Sequence, residues 1–77
     1  MKVNIRSSSN NIPLFEINLE SSDNVRSIKN FIHETVGIDP ERQRLIFSGV
    51  ELNDLKSLEE CEVKDNSLVR LLNIILL

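Results

Sequence analysis

A chain of 77 residues with 40% hydrophobic and 27% charged side chains has the composition of one small folded domain with a single core, not of a disordered tail. Its net charge of −3 and its three aromatic residues, Phe15, Phe31 and Phe47, supply neither a basic stripe for a phosphate backbone nor a stacking platform, which argues against nucleic-acid binding. A single cysteine, Cys61, makes no internal disulfide and no zinc quartet, so a reducing compartment is expected, the cytoplasm or the nucleus.

The chain opens with MKVNIR, in which Met1, Val3 and Ile5 alternate with Lys2, Asn4 and Arg6, the pattern of a half-buried strand. SSSNN then reads as a flexible turn, and LFEINLE alternates again through Phe15, Ile17 and Leu19, giving a hairpin. From Val25 the period changes. Val25, Ile28, Ile32 and Val36 recur at helical steps, Asn24 stands at the N-cap and Gly37 at the C-terminal stop, so an amphipathic helix is expected over Val25 to Val36. Ile38 can fold back on the last turn, and Pro40 prevents the helix from resuming. His33 falls on the polar side of this helix and reads as a solvated residue.

Beyond the helix come a strand at RLIF, a turn at SG, a short strand around Val50 to Leu52, a polar connection anchored by Leu58, and a last strand from about Leu68. In RLIF the alternation sends Leu45 and Phe47 inward and leaves Ile46 outward between Arg44 and Ser48. One helix packed across one face of a mixed sheet closes a single core from these pieces. Nothing in the chain resembles a signal peptide, and the longest apolar cluster, LLNIILL, is too short to span a bilayer, so no membrane association is expected. With one histidine, one cysteine and no glycine-rich phosphate loop, no enzyme constellation is visible, and no cofactor or metal is expected.

The segment GIDPERQRLIFSGVEL, Gly37 to Leu52, closely resembles ubiquitin, and the likeness extends from Met1 to about Leu72 with an inserted residue or two in the first turn. The glycine-isoleucine step, the proline, QRLIF and the glycine that follows carry the resemblance to the ubiquitin family. It implies an α+β fold of the β-grasp (ubiquitin-like) type, a roll with a mixed sheet of four to five strands and one amphipathic helix across it. A single ubiquitin-like domain over residues 1–77 is expected, as the N-terminal part of a longer protein.

In the family, the residue aligned with Ile46 centres an exposed apolar patch that receives helices of ubiquitin-binding proteins. The resemblance therefore implies a protein-binding set of Ile46, Leu72, Arg70, Arg44 and Gly49. The partners it implies are proteins with ubiquitin-interacting helices or ubiquitin-associated domains, proteasomal receptors among them, in the ubiquitin-proteasome pathway. An outward isoleucine on a rigid sheet suits this role, since docking buries its apolar area while the cationic rim orients the partner.

The departures from the family pattern shape these expectations. SSSNN lacks the leucine that extends the patch, Arg70 replaces the histidine beside it with a permanent cation that favours acidic partner helices, and Asn4 replaces a phenylalanine of a second family surface. Of the lysines used for chain building only Lys29 matches, whereas Val50, Asp65 and Pro13 occupy other such positions. No glycine follows Gly49, where conjugated relatives carry Gly-Gly, so a non-conjugatable type is expected, and the apolar Ile74, Ile75, Leu76 and Leu77 invite self-association. Two further roles are weighed: a covalent ubiquitin-like modifier in precursor form, with Gly-Gly beyond Leu77, and an intramolecular regulator of an adjoining ligase or deubiquitinase domain.

Overall fold

Among the described residues, alternation and helical periodicity resolve into five strands and one α-helix: β1 (Lys2–Ser7), β2 (Phe15–Asn18), α1 (Val25–Val36), β3 (Gln43–Phe47), β4 (Val50–Glu51) and β5 (Ser67–Asn73). The computed structural model describes residues 1–8 and 12–73. The last three residues of the SSSNN turn and the expected self-association segment Ile74, Ile75, Leu76 and Leu77 lie outside the described residues. No helix among the described residues is long and apolar enough to cross a membrane.

The strands form one mixed sheet in the order β2-β1-β5-β3-β4. β1 runs antiparallel to β2 and parallel to β5, and β5 runs antiparallel to β3. One face of this sheet packs on α1. Val3, Ile5, Ile17, Leu45, Val69 and Leu71 from the strands meet Val25, Ile28 and Ile32 from the helix, and all are buried. Burial of each such aliphatic side chain contributes about 1.5–3 kcal/mol, so this aliphatic layer supplies the main favourable term of folding.

Local chemistry fixes the ends of α1 where the sequence places them. The Asn24 side chain accepts from the Ser27 backbone N–H at 3.1 Å. The Val25 and Arg26 N–H groups donate to the carbonyls of Lys56 and Asp54, so the first three helical donors are all satisfied, two of them by the connection that follows β4. At the other end Gly37 adopts φ 78°, and its N–H closes on the carbonyl of His33. A 3-10 turn at Pro40–Arg42, not evident from periodicity, leads the chain back into β3. There the buried Gln43 side chain donates to the carbonyls of Lys29 and Ile38 at 3.0 and 2.9 Å, tying the body of the helix and the segment that follows it to the start of β3.

The long connection between β4 and β5 is held by apolar anchors and hydrogen bonds. Leu58 is fully buried as expected, with Leu52 and Val63 buried beside it. The Leu58 N–H donates to the Asp23 carbonyl at 2.8 Å. Asp54 receives both Lys29 and Arg26, at 2.6 and 3.1 Å. Burial alone raises its carboxyl pKa, but the hydrogen bonds and charges of Lys29 and Arg26 outweigh that and hold it below the ordinary value. Ser57 and Glu60 bond reciprocally through side chain and backbone, and the Ser57 donors lower the Glu60 carboxyl in the same sense.

Several details refine the expectations. The second strand ends at Asn18, the fourth at Glu51, and the last begins at Ser67. His33 is half exposed, as its place on the polar side predicts, and its Nε2 lies 3.5 Å from Asp39 Oδ1. Cys61 is partly buried against the core.

Candidate functional site

The face of the sheet turned away from α1 carries every residue of the expected binding set that lies on a strand. In β3, Leu45 is fully buried while Arg44 is exposed and Ile46 half-buried, so the alternation holds and the isoleucine faces away from the core. The β3–β5 register pairs Ile46 with Arg70 and Arg44 with Leu72. Four of the five expected residues therefore form a compact block on two neighbouring strands. Leu72 is half-buried and Arg70 exposed.

Gly49 belongs to this block through the turn that leads away from it. Phe47 pairs with Val50, which leaves Ser48 and Gly49 as a two-residue loop with φ of 51° and 79°. Positive φ at both central positions is the turn that matches the twist of a β-hairpin, and a glycine there carries no steric penalty. Open space surrounds the position a Cβ would take at Gly49, so backbone conformation and not crowding accounts for the glycine.

Two features of the face escape a reading confined to the family patch. Leu68 is 43% exposed and shares its side of β5 with Arg70 and Leu72. The same period-2 rule that turned Ile46 outward identifies it. Arg6, an exposed residue of β1, is the register partner of Arg70 across the parallel β1–β5 ladder. Ile46, Arg70 and Arg6 therefore lie in one row across three strands.

The charges of the face are unevenly compensated. Arg44 Nε lies 3.8 Å from Glu51 Oε1, and Lys2 Nζ lies 3.7 Å from Glu16 Oε1. Such exposed pairs contribute little to stability, about 0–1 kcal/mol, but they lower the positive potential at those points. Arg6 and Arg70 have no carboxylate partner among the described residues. The face is thus apolar at Ile46, Leu68 and Leu72 and cationic at its centre.

Lys29, the lysine that matches a chain-building position, is 8% exposed and engaged with Asp54. No group of histidine, cysteine, aspartate and glutamate side chains that could hold a metal ion occurs among the described residues.

A five-stranded mixed sheet with one helix across it, and an apolar and cationic outer face, defines a β-grasp domain of the ubiquitin-like kind. The family model described as the ubiquitin family matches residues 3–73, and the chain belongs to that family. It is 40% identical over 57 residues to the ubiquitin-like protein NEDD8-like protein 2 of Dictyostelium discoideum, covering 74% of this chain and 71% of that relative. Ubiquitin-like protein 1 of Schizosaccharomyces pombe is 34% identical over 56 residues, covering 73% of this chain and 72% of its own. Ubiquilin of Dictyostelium discoideum is 34% identical over 71 residues, covering 92% of this chain but 13% of the relative.

Proposed function

We propose that this ubiquitin-family domain is a non-covalent protein-interaction module, docking to ubiquitin-binding or proteasomal receptor elements through the outer face of its sheet. The observation that carries this reading is the block formed by Ile46, Arg70, Arg44 and Leu72 on neighbouring strands, with a half-buried isoleucine facing away from the core. An amphipathic helix laid on that block buries Ile46, Leu72 and Leu68, while the arginines set its direction. The similarity to ubiquilin, a relative of which this domain matches only a small part, supports a role within a larger protein. The module acts in the cytoplasm or nucleus, in the ubiquitin-proteasome pathway, and is not itself an enzyme. An NMR titration with a ubiquitin-interacting helix tests the reading. Saturable shifts confined to the outer sheet face, Ile46, Gly49, Arg70 and Leu72 among them, are expected; their absence in a folded domain removes it.

The NEDD8-like relative of Dictyostelium discoideum, 71% of which is covered, supports a second reading, a covalent modifier. Expression of the full reading frame with an N-terminal tag separates the two. Adducts of higher mass that survive boiling in detergent support the modifier; a single unconjugated species supports the docking module.

A further inference from the structure

The outer face holds Arg6 and Arg70 side by side, and among the described residues neither has an acid partner. Arg6 and Arg70 are register neighbours in a parallel ladder, whose strands lie about 4.8 Å apart. Like charges at such a position repel each other. The two other cations of the face that lie near acids, Lys2 and Arg44, each have a glutamate within ion-pair distance. The positive charge is therefore concentrated at one point. Arg70 lies between Leu68 and Leu72 along its own strand and opposite Ile46 on the next, so apolar side chains frame the charge on the β3 and β5 sides. Covering that frame with a partner lowers the local dielectric and strengthens whatever ion pair forms at its centre.

Taking the docking reading as given, we propose that the Arg6–Arg70 pair is a clamp for one phosphorylated side chain on the docked partner. A single carboxylate brings one negative charge to two guanidinium groups and leaves their mutual repulsion half compensated. A phosphoserine or phosphothreonine brings a charge of about −1.5 to −2 and three acceptor oxygens at one point. Two planar forks converging from adjacent strands can share those oxygens through charge-assisted hydrogen bonds. Phosphorylation of the partner thereby acts as a switch on the affinity of a surface whose apolar contacts do not change.

A synthetic amphipathic helix based on a ubiquitin-interacting sequence provides the test. It is made in serine, glutamate and phosphoserine forms at successive positions of its polar flank and titrated calorimetrically into the whole 77-residue chain. At the best position the phosphoserine form should bind at least tenfold more tightly than the serine and glutamate forms. The gain of the phosphoserine form over the serine form should vanish in Arg6→Gln and in Arg70→Gln, while the serine form binds Arg6→Gln, which lies outside the docking block, within a few-fold of the parent. Equal affinity for the three forms at every position, a glutamate form as tight as the phosphoserine form, or a gain that survives both substitutions overturns the clamp. Binding of the serine form in those cases leaves the docking reading standing. If the serine form fails to bind but the phosphoserine form binds in an Arg6- and Arg70-dependent way, the clamp holds and the apolar docking reading fails.

Discussion

Lys29 Nζ lies 2.6 Å from Asp54 Oδ1 although the lysine side chain is only 10% exposed. The pair joins the buried face of α1 to the connection between β4 and β5, and the Arg26 and Asp54 backbone groups bond at the same place. Removing the acid leaves a charged lysine in the core layer. Asp54→Ala is therefore expected to destabilise the domain by on the order of 3 kcal/mol in urea denaturation, and Lys29→Met in the same chain to recover most of that loss. A double variant no more stable than the single one would show that the pair is not the source of the effect.

The same carboxylate sets a pH dependence. The Asp54 carboxyl is held below its ordinary value of 3.8, so the folded state binds its proton less readily than the unfolded chain. The stability it contributes is complete above the unfolded value and is lost as pH falls through the ordinary carboxylate range to the lowered folded value. Glu60, lowered by Ser57, acts in the same direction. Thermal unfolding followed between neutral and strongly acidic pH should show stability falling at the acid end, with a shallower fall in Asp54→Asn and a residual slope from Glu60.

Burial of Lys29 also predicts its chemistry. Acylation of the native chain by an amine-reactive ester, mapped by mass spectrometry, should label Lys56 and Lys64, both exposed, and spare Lys29 until the chain is unfolded. Native labelling of Lys29 at the rate of Lys56 would mean that the helix opens locally far more often than its packing suggests.

On the outer face, Ile46→Ala should lower affinity for a ubiquitin-interacting helix at least tenfold while changing the urea midpoint little, because the side chain is half-buried and faces away from the core. Leu68→Ala should lower affinity by a smaller factor in the same titration. An Ile46→Ala chain that binds as well as its parent removes the docking reading.

Much of this architecture is legible in the chain because local signals agree with the fold. Asn24 and Gly37 mark the two ends of α1, and the steps of Val25, Ile28 and Ile32 give its buried face. Alternation in RLIF places Ile46 outward before any tertiary contact is known. Leu68 and Arg6 follow from the same rule, but their importance depends on register. The pairing of Arg6 with Arg70 joins residues far apart in sequence through a parallel ladder, which no local pattern encodes. The 3-10 turn at Pro40–Arg42 and the burial of Lys29 against Asp54 are likewise tertiary outcomes. A lysine on a helix otherwise reads as solvated.

The place of β5 between β1 and β3 governs how the chain is made as well as how it stands. During synthesis the β1–β2 hairpin and α1 leave the ribosome long before Ser67–Asn73, yet β1 cannot reach β3 without it. Until that last strand emerges, β1 and β3 each present an open edge and the helix has only half a sheet to cover. A ribosome paused in the connection after β4 thus holds a nascent chain with unpaired strand edges, a substrate for chaperones or for unwanted association. Completion is a single late event, because the insertion of one seven-residue strand closes both halves of the sheet at once.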